Sequence, residues 1–194
     1  MTPVAWAECV AYLEAHCNYG RSTPYSATDL RYVLGLWTLA ACAAANTILE
    51  IGIGPCSVSG VTFLHAMPPG SHLISVDIDP KLPQRPYLEL AAEKQITWSV
   101  YHGDSISEAI HLDPWLQVDV LYVDGNHDAA HAIGDAVKFL PHLRAGGYLV
   151  IDDFSPQAGV GEGRKDLDEL VPYFLHLAHE APAGNGRLVW QRPV

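Results

Sequence analysis

The stretch from Thr47 to Ser57 most constrains the fold, because it joins a short apolar run to two closely spaced glycines. Mostly apolar side chains over 47–51 are typical of a strand that is covered on both faces. Gly52 and Gly54 then allow a sharp turn and a close approach of the backbone to a ligand. The stretch predicts a buried strand, a glycine turn and the start of a helix near Ser57.

Strand-like and helix-like patterns alternate along the chain. Strands are expected at 47–51, 72–76, 96–101, 118–123 and 148–151. Helices are expected at 3–17, from a cap at Ser26 to about Ala45 with Asn46 as a left-handed stop, and at 57–66, 84–94, 105–112, 128–143 and 165–177. This alternation predicts an α/β fold with a doubly wound, mostly parallel sheet and right-handed crossovers.

The C-terminal region carries a different pattern. Gly184-Asn185-Gly186 is a turn signal between apolar stretches at 177–181 and 188–191, which predicts an antiparallel hairpin. At 194 residues, of which 49% are hydrophobic, the chain is expected to form a single domain over 1–194 with a substantial core.

Charge and the N-terminus exclude several classes of protein. The formal net charge of −11 argues against broad binding to nucleic acid or to an anionic membrane, because both require basic patches. The four cysteines form no CxxC pair, and the N-terminus has no basic start followed by an apolar core. We therefore expect reduced thiols and a cytoplasmic protein with no membrane partner.

Aspartates follow four successive predicted strands. They are Asp77, Asp104, Asp124 and Asp152. A single aspartate at such a position is usually a turn or capping residue, but parallel strands bring all four to one edge of the sheet. Crowded carboxylates repel one another unless a cation or hydrogen-bond donors satisfy them. The edge is therefore expected to bind hydroxyls, amino groups, a sulfonium or a metal.

The glycine turn does not favour a dinucleotide. A diphosphate needs free backbone donors and positive charge near the turn. Here Pro55 removes one donor, Glu50 adds a negative charge, and no Lys or Arg lies between 47 and 80. Ser57 also replaces the third glycine of a GxGxxG pattern. These features argue against NAD.

Five segments of the chain, taken together, resemble one known family. Glu50-Ile51-Gly52-Ile53-Gly54 resembles motif I of the class I S-adenosylmethionine-dependent methyltransferases. Matching segments follow in the right order at 75–80, 103–105, 123–127 and 145–154, so the resemblance covers about 28–194. The Val-Asp-Gly-x-His and Ile-Asp-Asp segments are similar to small metal-dependent O-methyltransferases, of the kind acting on catechols and on macrolide sugars.

The resemblance implies a binding site for S-adenosylmethionine and a cover over the substrate. Asp77 would accept hydrogen bonds from the ribose, Asp104 and Ser105 would face the adenine, and Gly52 and Gly54 would lie against the methionine part. The full implied cofactor set is Glu50, Gly52, Gly54, Ser57, Asp77, Ile78, Asp104, Ser105 and Asp124. Helices in 1–46 would cover the substrate side of a cofactor-binding core at 47–194.

The resemblance further implies a metal site. Asp124, Asp152 and Asp153 would hold Mg²⁺ or a similar divalent cation, for which hard carboxylate oxygens are suitable ligands. Such an ion would lower the pKa of an acceptor hydroxyl and orient it. The catalytic residues would be Asp124 and His127, the latter as the nearest titratable candidate for a general base. In the alternative without a metal, Asp152 and Asp153 only cap a loop.

The expected function is methyl transfer from S-adenosylmethionine to a hydroxyl of a small molecule, with Mg²⁺ assistance. A metal-independent N- or O-methyltransferase and a noncatalytic S-adenosylmethionine-binding protein are the alternatives. A zinc hydrolase using His127 and His131 is a weaker alternative, because the helix lacks the Glu of an HExxH motif. A homodimer is compatible with the resemblance.

Overall fold

The computed structural model describes residues 3–16, 27–54, 57–78, 84–154, 159–177 and 186–194. The helices are α1 (Pro3–His16), α2 (Ala27–Cys42), α3 (Val58–Ala66), α4 (Gln84–Glu93), α5 (Ala129–Phe139) and α6 (Arg164–Leu170). The strands are β1 (Thr47–Ile51), β2 (His72–Asp77), β3 (Thr97–His102), β4 (Val118–Val123), β5 (Leu143–Phe154), β6 (Leu175–His176) and β7 (Gly186–Gln191). Short 3₁₀ helices lie at Leu140–His142 and Gly159–Gly163.

The seven strands form one sheet in the order β3-β2-β1-β4-β5-β7-β6. The first five of these are parallel, whereas β7 runs antiparallel to β5 and pairs with β6 in an antiparallel hairpin. The strand order reverses between β1 and β4, which is where ligands bind in open sheets of this kind. The predicted mostly parallel, doubly wound sheet with a C-terminal hairpin is confirmed.

Both faces of the central strands are buried, and successive side chains enter two separate cores. Ile48 of β1 packs in the core shared with α1, α2, α3 and α4, whereas Leu49 packs in the core shared with α5 and α6. All six residues of β4 are buried. Strands covered on both faces read as continuous apolar runs rather than as alternating ones, which is why the sequence pattern located them well.

The predicted helix at 105–112 is wrong. Residues 103–117 form no helix, and the backbone is held by other donors. The Lys138 ammonium of α5 donates to the carbonyl oxygens of Ser105, at 2.6 Å, and Ser107. We call residues 103–110 the β3 loop from here on. Its carbonyl groups are partly satisfied from outside the segment, so it needs no helical hydrogen bonds of its own there.

Other element boundaries differ for local reasons. Helix α5 was expected at 128–143 but ends at Phe139, because Pro141 lies in a following 3₁₀ turn and cannot donate a backbone hydrogen bond. The left-handed residue after α2 is Ala44, with φ 44°, rather than Asn46. Strand β5, expected at 148–151, extends from Leu143 to Phe154 because β4 and β7 pair with it along that length.

The C-terminal prediction was correct in type and shifted in position. Helix α6 ends at Leu170 rather than 177, because residues 175–176 pair with β7 as strand β6. The first hairpin strand therefore precedes the predicted 177–181, of which 178–181 lie outside the described residues. Also outside them are the predicted helix cap Ser26, the residues Pro55 and Cys56 of the glycine turn, and the turn residues 184 and 185.

Helices α1 and α2 pack against α3 on one face of the sheet. Their expected role as a cover over the substrate side stays a prediction, as does the division of the chain at residue 46. Among the described residues, no helix has the length and apolar character needed to cross a bilayer.

Asp119 joins the amino ends of β1, β4 and β5. One carboxylate oxygen accepts the backbone N–H groups of Asn46 at 2.7 Å and Thr47 at 2.8 Å, and the other accepts from the Arg144 guanidinium. The residue is buried. Buried backbone donors left without an acceptor are costly, so this carboxylate has a structural role at the edge opposite the predicted site.

We expect Asp119→Ala to lower the free energy of unfolding by about 2–4 kcal/mol, because it leaves two backbone N–H groups and a guanidinium without their acceptor. Urea unfolding monitored by circular dichroism measures this. Glu14→Ala, which removes an equal charge from an exposed position on α1, is the control and should change stability little. An Asp119→Ala protein as stable as the control would contradict the role.

Candidate functional site

The turn after β1 is pressed against the end of β4. Gly52 has φ 90°, and a Cβ added to it would lie 2.1 Å from the carbonyl oxygen of Asp124. Backbone hydrogen bonds fix this approach: Gly52 N–H donates to the Val76 carbonyl and Asp124 N–H donates to the Ile51 carbonyl, each at 2.8 Å. Only glycine fits at position 52, so the turn sits directly between the ends of β2 and β4.

Asp77 holds the same turn from the end of β2. Its Oδ2 accepts the backbone N–H groups of Ile53 at 2.7 Å and Gly54 at 3.2 Å. Gly54 has φ 63°, and among the described residues, apart from its chain neighbours, no atom lies within 4 Å of where its Cβ would be. The turn thus leaves open space above Gly54, while the adjoining Ile78 side chain is 75% exposed. We call the turn at 52–54 together with Asp77 the cradle, and the exposed Ile78 side chain lies beside it.

Glu50 lies behind the turn in the core of the sheet. It is fully buried and accepts hydrogen bonds from the hydroxyls of Ser59 on α3 and Ser75 on β2, the latter at 2.8 Å. The Trp98 indole N–H in turn donates to the Ser75 hydroxyl at 2.9 Å. Burial raises the pKa of Glu50 to about 7, although the two hydroxyl bonds oppose that shift. Glu50 therefore ties α3 to β2.

The start of α3 has no side-chain cap. Ser57 is buried, has φ 43° and makes no capping hydrogen bond with its hydroxyl. Its oxygen lies close to the helix instead, because a Cβ on Gly60 would be 2.7 Å from it. Ser57 thus lies directly before α3, close to where the sequence predicts the helix to start.

Two adjacent aspartates at the end of β5 point to different partners. The β5–β7 register shifts between Ile151 and Phe154, and Asp153 has φ 52°. Asp152 is buried and accepts from the Tyr122 hydroxyl and from Arg187 Nε, the latter at 3.0 Å. The next residue, Asp153, faces away from these partners. Aspartate tolerates the left-handed conformation better than most residues do.

Asp153 instead meets His127 and Asp124. Its Oδ2 lies 2.6 Å from His127 Nδ1, and His127 Nε2 lies 3.6 Å from Asp124 Oδ1. One ligand atom from each of these three residues lies within 4.8 Å of the others. We call Asp124, His127 and Asp153 the acidic cluster. It contains two of the three metal ligands expected from the sequence, together with the expected base.

The charge in this region favours a proton or a cation. Burial, followed by the charges of Asp152 and Asp153, raises the pKa of Asp124 well above its usual range. Burial also raises the pKa of Asp153, against the opposing effect of His127. The Tyr122 hydroxyl lies 2.9 Å from Asp124 Oδ2 and also contacts Asp152, so one hydroxyl links the two acids. Bringing a positive group into the acidic cluster would relieve this repulsion.

The expected adenine-facing residues lie on the β3 loop beside Asp77. Gly103 N–H donates to the Asp77 carbonyl at 3.0 Å, which fixes the start of the loop next to β2. Asp104 is exposed, and its Oδ1 accepts from Ile106 N–H at 3.2 Å. The carbonyl oxygen of Ser105 accepts from the Lys138 ammonium of α5 at 2.6 Å. Asp77 and Asp104 are therefore at neighbouring strand ends.

The histidine pair needed for a zinc hydrolase is not assembled. Helix α5 begins at Ala129, so His127 precedes it, and His131 Nδ1 lies 2.9 Å from Asp128, the N-cap residue. Within the described chain, the metal-competent group contains His127 but not His131. The i and i+4 geometry of a zinc-binding helix is therefore missing here.

Sequence reasoning missed Tyr122 and Arg187. Tyr122 could have been found, because it lies on β4 two residues before Asp124, which directly follows the strand, so the two side chains face the same side of the sheet. Arg187 had no local signal: it is brought to Asp152 by the antiparallel pairing of β7 with β5. Gly35 of α2 makes room for it, since a Cβ there would lie 2.9 Å from Arg187 Nη1.

Comparison with known proteins places this geometry in a family. A family model described as a methyltransferase domain matches residues 49–154, which is more than half of the chain. The chain belongs to the methyltransferase domain family. The matched region includes the glycine turn, Asp77, the β3 loop and the acidic cluster. No curated protein sequence matches the chain.

Solved methyltransferase structures share the fold at low sequence identity. An O-methyltransferase from Bacillus cereus in complex with SAH is 16% identical, with a TM-score of 0.62 and coverage of 98% of this chain and 91% of that one. TomG from Streptomyces achromogenes, an O-methyltransferase involved in tomaymycin synthesis and solved with SAM, is 17% identical, with a TM-score of 0.58 and coverage of 100% and 92%.

An N-methyltransferase shares the fold as well. NodS from Bradyrhizobium japonicum is 13% identical, with a TM-score of 0.61 and coverage of 89% of this chain and 100% of that one. Proteins with this fold therefore methylate either oxygen or nitrogen. The fold alone does not determine which atom accepts the methyl group; the residues of the site do.

We expect Glu50 to give the methyltransferase a specific pH dependence of stability. Its pKa is 4.5 ordinarily and about 7 when folded, so its favourable contribution is present below pH 4.5 and is lost as pH rises through 7. The difference corresponds to about 3 kcal/mol. Glu50→Gln should therefore gain stability relative to the wild type between pH 5 and pH 8 in urea unfolding. Parallel curves for the two proteins would contradict this.

Proposed function

We propose that this methyltransferase transfers the methyl group of S-adenosylmethionine to a hydroxyl oxygen of a small molecule. The observation that carries the proposal is the placement of the acidic cluster directly beside the glycine turn, with Gly52 packed against the Asp124 carbonyl. The Bacillus cereus and Streptomyces achromogenes proteins, which share the fold, were solved with SAH and SAM. With a net charge of −11, a nucleic-acid acceptor is not part of the proposal.

The cradle fits this cofactor by its chemistry. The open space above Gly54 would receive the methionine part against bare backbone. Asp77 is already oriented along the turn by two backbone N–H groups, so its carboxylate is held in place for the ribose hydroxyls. The exposed Ile78 side chain would pack against the adenine, with Asp104 and Ser105 at its edge. The remaining assigned positions, Glu50, Ser57 and Asp124, would support the turn from behind.

The chain offers a proton acceptor for the hydroxyl. Asp153 lies 2.6 Å from His127 Nδ1, which favours the tautomer with the proton on Nδ1 and leaves Nε2 free to accept one. The acceptor oxygen would attack the methyl carbon in line, the carbon–sulfur bond electrons would return to sulfur, and the hydroxyl proton would pass to Nε2. The products are the methyl ether, S-adenosylhomocysteine and a proton held by His127.

The acidic cluster also fits a divalent cation, and we propose that one assists the reaction. Asp124 and Asp153 supply the hard oxygen donors that Mg²⁺ or a similar ion prefers, and His127 beside them keeps its role as proton acceptor. Such a cation would lower the pKa of the acceptor hydroxyl. The third expected ligand, Asp152, is engaged by Tyr122 and Arg187, so its ligand role stays a prediction.

A metal-independent O-methyltransferase is the second candidate. It is favoured by the Arg187–Asp152 ion pair, because a guanidinium already balances the carboxylate that a third metal ligand would need to offer. In that case His127 acts with Asp153 alone. An N-methyltransferase and a noncatalytic S-adenosylmethionine-binding protein have no such specific observation behind them. A homodimer stays a prediction.

Two glycines with the same backbone strain test the cofactor cradle. Gly54 and Gly70 both have positive φ and open space around the Cβ position, but Gly70 lies in the turn before β2, away from the cradle. Each change to alanine should lower stability by about 1 kcal/mol. Gly54→Ala should also weaken S-adenosylhomocysteine binding about tenfold in calorimetry, whereas Gly70→Ala should not. Equal affinities for the two variants would argue against the cradle.

Chelation separates the two mechanisms. With a catechol-like acceptor panel, we expect EDTA to stop methyl transfer and Mg²⁺ or Mn²⁺ to restore it, because the cluster would otherwise concentrate uncompensated negative charge. His127→Gln should reduce turnover at least about 100-fold in either mechanism, with unchanged S-adenosylhomocysteine affinity. Asp153→Asn, which keeps the left-handed backbone, should behave similarly. Full turnover in EDTA would replace cation assistance with the His127–Asp153 mechanism.

A further inference from the structure

Strand β5 has a bulge where it carries its two aspartates. The pairing register of β5 with β7 shifts between Ile151 and Phe154. Two residues of β5, Asp152 and Asp153, lie there opposite one residue of β7, Arg187. Bulges of this kind re-aim side chains and are frequent beside active sites. Because Asp153 takes the left-handed conformation, with φ 52°, the two adjacent acids meet different partners.

Asp152 has donors on both of its carboxylate oxygens. Oδ1 accepts the Asp153 backbone N–H at 2.8 Å, and Oδ2 accepts the Tyr122 hydroxyl and Arg187 Nε, the latter at 3.0 Å. The Asp152 side chain is 1% exposed, against 22% for Asp124 and 31% for Asp153. A cation that bound Asp152 would have to displace these donors from a buried position, which is costly.

The Arg187 guanidinium is enclosed between Asp152 and helix α2. Arg187 lies two residues before Val189, which packs against the core shared with α2. Side chains two residues apart on a strand face the same side of the sheet, so Arg187 points toward that helix. Gly35 of α2 makes room for Nη1, and the Arg187 side chain is only 12% exposed. The ion pair is therefore built into the fold and lacks the freedom of a surface pair.

The two remaining carboxylates suffice for the cation proposed above. Mg²⁺ is usually held through one or two carboxylates, while waters and substrate oxygens complete its six positions. Asp124 and Asp153 fit this role, because both are partly exposed and belong to the acidic cluster. A site with two carboxylates holds the ion less tightly than one with three and leaves more positions for the acceptor.

We propose that Arg187 is a positioning residue that withholds Asp152 from the cation, so that Asp124 and Asp153 are the two carboxylates that bind it. This rests on the proposed assistance by a divalent cation and deepens it, because it assigns the acids that hold the ion. The family resemblance implies all three aspartates as ligands, and Arg187 changes that set. The protein alone should therefore bind the cation weakly, and removal of Arg187 should strengthen binding.

The affinity of the full chain for Mn²⁺ alone, followed by its electron paramagnetic resonance signal, tests the proposal. Arg187→Gln should bind Mn²⁺ at least about tenfold more tightly than the wild type, because it frees a third carboxylate. The double variant Asp152→Asn/Arg187→Gln removes both charges at once and should stay within about threefold of the wild type. Asp153→Asn should weaken binding at least about tenfold. Lys165→Met removes a cation from an exposed position on α6 and is the control, with unchanged affinity.

Urea unfolding of the same variants gives a second readout. Arg187→Gln leaves a buried carboxylate without its ion-pair partner, so it should be less stable than the wild type. Mn²⁺ should stabilise Arg187→Gln more than it stabilises the wild type, since the ion takes the place of the guanidinium at Asp152. The double variant leaves neither charge of this pair behind. It therefore decides the role of Asp152 even where Arg187→Gln alone is too unstable to assay.

Three results would overturn the proposal. They are an Mn²⁺ affinity in folded Arg187→Gln that is no higher than in the wild type, a loss of about tenfold or more in the double variant, and a gain from Arg187→Gln that persists in the double variant. A wild type that binds S-adenosylhomocysteine but not Mn²⁺ refutes cation assistance together with this inference. A folded wild type that fails to bind S-adenosylhomocysteine refutes the proposed methyl transfer itself.

Discussion

Burial of the central strands on both faces is the constraint on which the rest of the structure depends. Side chains along β1 and β4 enter one of two apolar cores, so charged groups can be placed only where a strand ends or where hydroxyls satisfy them. Parallel pairing then gathers those strand ends at two edges. Asp119 closes the amino edge, and Glu50 is the exception inside, satisfied by Ser59 and Ser75.

The acids at the carboxyl edge are not equivalent, because each is balanced differently. Asp77 is held by backbone N–H groups, Asp152 by a guanidinium and a phenol, and Asp153 by a histidine. Asp77 is therefore fixed and still faces the cradle. Asp152 is fully engaged by its partners within the fold, whereas Asp153 stays partly exposed. A carboxylate that already has a strong buried partner is a poor ligand for an incoming cation. Partner identity therefore distinguishes structural acids from those available to a ligand.

The sequence was most informative where one residue type repeats at one structural position. The five parallel strands and the aspartates at their ends were predictable, because two-sided burial and strand-end chemistry leave local patterns. Local patterns failed at 105–112, where Lys138 supplies donors from another helix. They also could not separate Asp152 from Asp153, because the register shift in β5 and the approach of Arg187 depend on β7, more than thirty residues away.

Helix α5 connects the two halves of the site. It begins directly after the segment that carries His127, and Lys138 in its last turn donates to carbonyl oxygens of the β3 loop. In the proposed reaction the sulfonium methyl and the acceptor oxygen must meet in line, so the proposed adenine end and the acidic cluster must keep a fixed separation. A helix that follows the His127 segment and donates to the β3 loop can help to maintain that separation. Sites supported by regular elements hold geometry better than sites supported by loops alone, and α5 gives two loops that support.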